Sequence, residues 1–407
     1  LHWGAIGKDS RRSSNTTLNI CHIITDLNTG GAQVMLCKLL GTQDQAVFKP
    51  FVVSLAKRGV LGEEVAALGI PLLSLNMKGN PSGGLYRLWR TVREVKPDLI
   101  QGWMYHGNIA ASLARMSLKG RTRVCWNVRH SLYDIQKEKA LTAYFIRLGA
   151  VLSKYPDRIV YNSHTSLKQH RARGYFSQKS MVIPNGFDCD RFRPDRSMGP
   201  RLRESLGLPR EAILIGLIAR YHPMKDHAGF LKAAANAASR LPDAHFVLAG
   251  KGAEPSNGEL ARLIGQMNMN GRVHLLGEQR EIWRLMAGLS ILCSSSAWGE
   301  GFPNVIGEAM ACGVPCVVTD VGDSAMVVGD TGRVVPPREP VKLGRALREL
   351  GEAGEGGIKA LGTKARKRVK EHFDLPRIAG AYERLYRSLG PSDRLQRASS
   401  CQNHNSE

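Results

Sequence analysis

Acidic residues are scarce in this chain. Its 407 residues include 35 Asp and Glu against 57 Lys and Arg, a formal net charge of +22. An excess of that size draws anionic partners: nucleic acid, acidic lipid headgroups or phosphorylated substrates. Aromatic residues are few as well, at 6%, and they do not interleave with the basic ones, which disfavours the stacking platforms of a single-stranded RNA binder. No apolar run reaches the roughly 18 residues of a membrane-spanning helix. The nearest candidate, Ala140 to Leu152, is broken by Arg147. A basic segment leading into an apolar one is missing near the start, so no signal peptide and a cytoplasmic location are expected. The eight cysteines, at 21, 37, 125, 189, 293, 312, 316 and 401, are scattered. They lack the pairing of a metal cage or a disulfide framework and suit buried thiols.

What is present is ordinary globular composition, 43% hydrophobic and 23% charged, at a length sufficient for two domains. Apolar runs at 18–24, 51–55, 98–102, 122–128, 158–162 and 181–184 alternate with stretches of helical period. The rhythm pauses in the Pro- and Gly-rich segment 184–209, then resumes with runs at 213–219, 245–249, 272–276, 290–294, 314–319 and 333–335. This pattern predicts an α/β protein made of two Rossmann-like, doubly wound parallel sheets in tandem, with ligands in a cleft at the strands' carboxyl ends. Disordered ends are expected at 1–17 and 390–407, with a first domain over 18–190 and a second over 191–375. A helical segment follows at 376–389.

The densest chemistry lies in Ala297-Trp-Gly-Glu-Gly-Phe-Pro-Asn304 and the helix expected to follow it. A helix N-terminus offers unpaired N–H groups and a positive dipole end, an anion site suited to a diphosphate. Glu300 precedes that helix and Glu308 lies within it, and both are fitted to accept hydrogen bonds from hydroxyls. Arg220 and, after four intervening residues, Lys225 follow the run 213–219, where two cations can clamp a diphosphate. Gly30 and Gly31 open a helix after the first strand and permit close backbone approach. His106 follows the run ending near Gln101, and His130 with Arg129 follows the next, both placed to reach the cleft. Asp188-Cys189-Asp190 spells a metal-binding Asp-x-Asp, but sits in a turn-rich junction. No other carboxylate cluster points to Mg or Mn, so no metal cofactor is expected.

The Glu-x7-Glu spacing with Gly-Phe-Pro-Asn between, the Arg-x4-Lys pair and the Gly-Gly-Ala turn together resemble retaining glycosyltransferase family 4, which has the GT-B fold. The resemblance runs from about Leu18 to Leu389. It implies a donor site made of Gly30, Gly31, Arg220, Lys225, Arg280, Gly301, Phe302, Asn304, Val305 and Glu308, with Arg280 in the turn that meets the base. By the same likeness Glu300 and His106 would face the donor sugar, Glu308 the ribose, and Lys225 would stabilise the leaving diphosphate. Arg129 and His130 remain acceptor-side candidates, and 376–389 would be the helix that crosses back to the first domain. The implied reaction is hexosyl transfer from a nucleotide diphosphate sugar, such as a UDP-sugar, to a lipid-linked or saccharide acceptor in bacterial surface polysaccharide synthesis. A hydrolysing UDP-sugar 2-epimerase shares this architecture and stays open as an alternative. So does RNA binding, from a different class. The basic helix expected at 85–95, with 137–147 and 168–173, could lay the first domain on an anionic membrane, although a core-packed helix with a solvated basic face reads equally from its pattern.

Overall fold

The computed structural model describes residues 17–120 and 122–390. The disordered ends expected from the sequence fall outside these, apart from Thr17 and Gly390. The first sheet contains β1 Leu18–Ile24, β2 Phe48–Ser54, β3 Leu72–Ser74, β4 Leu99–Trp103, β5 Arg123–Val128, β6 Arg158–Tyr161 and β7 Ser180–Val182. They are parallel throughout and ordered β3-β2-β1-β4-β5-β6-β7. The second sheet, also parallel, takes β8 Ile213–Ile218, β9 Ala244–Ala249, β10 Val273–Gly277, β11 Ile291–Ser294, β12 Cys316–Thr319 and β13 Arg333–Val335 in the order β10-β9-β8-β11-β12-β13. Each sheet is buried on both faces by helices, which is why its central strands read as continuous apolar runs. β3 is the exception. Its three residues are all half-buried, so the short run left no signal.

Two features tie the lobes together. The helix Leu375–Leu389 buries Ile378, Tyr382, Leu385 and Tyr386 in the first lobe's core beside Leu18, Ile20, Leu36 and Leu40. Its tyrosine hydroxyls reach polar groups there: Tyr386 donates to Gln101 Oε1, and Asn127 Nδ2 donates to the Tyr382 hydroxyl at 2.9 Å. The second feature corrects the domain boundary. Phe187 and Cys189 belong to the second lobe's core, with Phe187 stacked on Phe302 at 5.9 Å between ring centroids and edge-on to Phe373. The second lobe therefore begins near Phe187 instead of residue 191, because an aromatic cluster recruits the connecting segment.

The seven cysteines among the described residues are buried and free. Burial pushes the thiols of Cys21 and Cys37 up to about 12 and about 11, which leaves them inert packing groups.

Candidate active site

The carboxyl ends of β8, β11 and β12 converge on one loop. After β8 the chain passes Arg220 and makes a tight turn, Pro223–Lys225, that ends at Asp226 in the left-handed region, φ 49°. Asp226 then caps the next helix by accepting from the Gly229 N–H at 2.9 Å. This turn is sewn to the segment after β11. Ser295 Oγ donates to the Lys225 carbonyl at 2.7 Å, and the Ala297 N–H donates to the Met224 carbonyl at 2.8 Å. Thr319 Oγ1 at the end of β12 donates to the Ser296 carbonyl at 2.6 Å and closes the far side. A carboxyl-end loop with this many cross-ties holds its side chains on a rigid frame.

On that frame Lys225 Nζ meets Glu300 Oε1 in an ion pair. Ser296 Oγ donates to the same Glu300 oxygen at 2.6 Å. Glu300 is 9% exposed, so the pair is largely removed from water. It also borders a crevice of about 360 Å³ walled by both lobes, with Ser131, Tyr133 and Thr165 on one side and Trp298, Gly322 and Arg338 on the other. Arg220 is exposed beside this turn. Partial desolvation, and then the charges of Arg220 and Lys225, lower the pKa of His222, which lies between them in the chain.

Four residues beyond Glu300 the helix Asn304–Ala311 starts with no side-chain cap of its own. Its leading N–H groups are available to an anion. Glu308 sits half-buried on it. Burial raises its carboxyl's pKa, while Lys38 and Arg191 act in the opposite sense. Lys38 belongs to the helix Gly31–Thr42, and Gly30 and Gly31 stand at its head. Asn304 accepts from Asn185 Nδ2 at 2.5 Å.

Several residues expected to line the donor take other places. Phe302 is a core residue, 6% exposed between Phe187 and Phe373; only its backbone is left to meet a ligand. Val305 packs against the same cluster. Arg129 is committed to protein partners. Its guanidinium donates to the Tyr382 hydroxyl at 2.7 Å, to Asn127 Oδ1 at 3.1 Å and to Asn185 Oδ1, and lies 5.7 Å over the Trp103 ring. That makes it the junction of first lobe, crossover helix and linker, a role set by contacts some 250 residues apart in sequence. His130 Nε2 is paired with Glu138 Oε1 at 2.7 Å. His106 occupies the first turn of the helix Met104–Met116 and packs against Phe145, with ring centroids 4.2 Å apart and planes tilted by 47°. Burial lowers its pKa, so it stands as a neutral imidazole able to donate or accept one hydrogen bond. Arg280 is exposed in the loop after β10. Asp188 Oδ1 accepts from the Asp190 and Arg191 N–H groups at 3.1 and 2.9 Å, an Asx turn that explains the Asp-x-Asp spelling locally. Ser296, Asn185 and Lys38 carry no motif, and only the tertiary structure brings them to the site.

Comparison with known proteins agrees with this geometry. A family model described as glycosyl transferases group 1 matches residues 212–352, and one described as Glycosyltransferase Family 4 matches residues 29–191. A Bacillus subtilis protein named as a glycosyltransferase, EpsF, is 27% identical over 327 residues, 74% of this chain and 79% of its own. The UDP-Gal:alpha-D-GlcNAc-diphosphoundecaprenol alpha-1,3-galactosyltransferase of Escherichia coli is 26% identical over 275 residues, 66% of this chain and 70% of its own. The fold is similar to that of Anabaena HepE crystallised with UDP, at a TM-score of 0.79 and 21% identity over 91% of this chain and 100% of that one. The two lobes, the carboxyl-end site and the paired family matches identify the chain as a glycosyltransferase of group 1 and family 4, with the GT-B fold.

Proposed function

We propose that the enzyme moves a hexosyl unit from a UDP-sugar to a hydroxyl of a lipid-linked saccharide acceptor, with retention of anomeric configuration and without a metal. The observation that carries this reading is the Lys225–Glu300 pair beside the open start of the helix Asn304–Ala311. The two charges hold each other in place. When a nucleotide sugar enters, its diphosphate competes for Lys225 and Arg220, and Glu300 turns to a donor-sugar hydroxyl. Glu308, half-buried on that helix, would take the ribose hydroxyls.

The reaction then balances without a protein nucleophile. The bond from C1 to the β-phosphate oxygen breaks, and its electron pair leaves on that oxygen, where Lys225 and Arg220 stabilise the charge. The acceptor oxygen bonds to C1 from the same face, and its proton passes to the departing phosphate oxygen. His106, neutral and packed against Phe145, supplies a hydrogen bond to the sugar and no charge. The galactosyltransferase relative is named for a diphosphoundecaprenol-linked acceptor, which supports a lipid-linked acceptor here.

The surface supports membrane attachment. The helix Ala140–Leu152 exposes Leu141 at 62%, Tyr144 at 58% and Val151 at 66%, continued by Tyr155 at 65%. Exposed Lys139, Arg147 and Lys154 flank this row. By contrast, two arginines of the helix Pro81–Val95 are tied down: Arg87 donates to the Ser74 carbonyl at 3.3 Å and Arg93 to the Ser117 carbonyl at 3.1 Å. The row on 140–152 is therefore the better-suited element for an anionic bilayer.

A thermal-shift screen tests the donor reading, because a ligand that binds only the native state raises its stability. UDP and UDP-sugars should raise the melting temperature equally with and without a chelator, and incubation of UDP-sugar without acceptor should yield no free 2-epimer. A shift that vanishes with the chelator refutes metal independence, and a released epimer would favour the hydrolysing epimerase.

A further inference from the structure

The lobes meet at a buried carboxylate. Asp323 lies in the turn after β12 of the second lobe and is 5% exposed. Its Oδ2 accepts from the His164 N–H at 2.7 Å, and its Oδ1 accepts from the Thr165 N–H at 3.0 Å and the Thr165 hydroxyl at 2.8 Å. Those donors open the first-lobe helix His164–Arg171, whose own cap, Ser163, accepts only from the Ser166 N–H, at 2.9 Å. The helix start is thus capped jointly: one cap residue comes from its own lobe and the other from the opposite lobe, at the end of the dipole where a carboxylate is favoured.

The other side of Asp323 rests on the donor loop. Its own N–H donates to the Gly301 carbonyl at 2.9 Å. The preceding Gly322 has φ +65°, and a Cβ there would lie 2.6 and 2.7 Å from the carbonyl oxygens of Glu300 and Gly301. No side chain fits between the turn and the loop. A continuous path therefore runs from the first-lobe helix through Asp323 to Glu300 and on to Lys225.

We propose that Asp323 is a positioning residue, a latch that makes closure of the two lobes and the seating of the Glu300–Gly301 loop a single two-state event. When the lobes part, the carboxylate loses three donors at once and the Gly301 loop loses its support. When they close, both are restored together. The contacts of a nucleotide with Arg220 and Lys225 lie within the second lobe, so UDP affinity depends little on the latch. Turnover, which needs Glu300 held and the first lobe in place, depends on it.

The kinetic part of this inference rests on the transferase reading, whereas its structural part does not. The test uses the full chain as wild type, Asp323→Ala, Asp323→Asn, Thr165→Val and the double variant Asp323→Ala/Thr165→Val. Small-angle X-ray scattering with UDP gives lobe closure, calorimetry gives UDP affinity, and release of UDP from UDP-glucose or UDP-galactose gives turnover. Asp323→Ala should scatter as a more open molecule and bind UDP within about threefold of wild type, while turnover falls by roughly ten- to a hundredfold, the scale of lost hydrogen bonds to a charged group. Asp323→Asn, which can still accept from Thr165, should recover part of both losses. The double variant should be no worse than Asp323→Ala alone, as expected of partners in one contact. Unchanged scattering, or UDP affinity and turnover falling together with the melting temperature, overturns the latch. If wild type releases no UDP from any UDP-sugar yet Asp323→Ala still opens the lobes, the latch stands and the donor assignment falls.

Discussion

Replacing Glu300 by Gln separates two roles that most substitutions confound. The Glu300 carboxylate holds Lys225 Nζ and receives the Ser296 hydroxyl, while the two side chains keep only 11% and 17% of their exposure. Gln keeps the shape and an oxygen for Ser296, but removes the charge that competes with a diphosphate for Lys225. Bare UDP, which lacks a sugar to engage Glu300, should therefore bind Glu300→Gln as tightly as wild type or up to about tenfold more tightly, a gain of at most ~1.4 kcal/mol. Turnover should fall by about 10²–10³, the scale expected when one preorganised electrostatic contact is lost from a transition state. Lys225→Ala should do the opposite to binding. It strands Glu300 with Ser296 alone and removes a charge-assisted contact worth about 1.5–3 kcal/mol, so UDP should bind roughly 10- to 150-fold more weakly. Calorimetric titration with UDP, paired with steady-state kinetics on a UDP-sugar, distinguishes the cases. If Glu300→Gln loses UDP affinity in parallel with turnover, Glu300 serves the nucleotide, and its assignment to the sugar is refuted.

Other expectations concern stability and surface. Burial lowers His22 to about 3 and His170 and His227 to about 4, from an ordinary 6.5. The unfolded chain takes up these protons first, so stability should be full above about pH 6.5 and should fall as the pH drops toward 4, by at most ~1.4 kcal/mol per pH unit for each histidine; a melting temperature that stays level from pH 7 to 5 contradicts this. Phe302→Ala empties the centre of the Phe187–Phe373 cluster and should cost about 3–5 kcal/mol in denaturant unfolding, whereas a cost below 1 kcal/mol would place that ring outside the core. The triple change Leu141→Ser, Tyr144→Ser and Arg147→Gln should release the protein from phosphatidylglycerol vesicles without lowering its melting temperature. Undiminished sedimentation with vesicles would move the docking surface elsewhere.

The fold was legible because buried parallel strands write themselves as apolar runs. β1 and β13 match runs at 18–24 and 333–335 residue for residue, and β8 differs by one. β3 escaped because three half-buried residues on an edge carry too little pattern. Part of the site was legible for a different reason: Lys225 and Glu300 each lie in the loop after a strand, and parallel sheets put such loops on one side. Phe302 and Arg129 show the limit. Each sits in a loop among functional residues, and only packing reveals that one fills the core while the other ties Tyr382 to Asn185. Asp323 belongs to no motif, and its partners come from the other lobe, 158 and 159 residues away. Spacing along a chain cannot report a contact that exists only when two domains close.

The central claim is that a diphosphate lies where Arg220, Lys225 and the start of the helix Asn304–Ala311 meet, and it is tested most directly by a crystal structure of the enzyme with UDP. The account predicts phosphate oxygens within hydrogen-bond distance of Lys225 Nζ and of the leading backbone N–H groups of that helix, with the ribose toward Glu308. Phosphates bound away from Lys225, or a uridine seated in the first lobe, would contradict it.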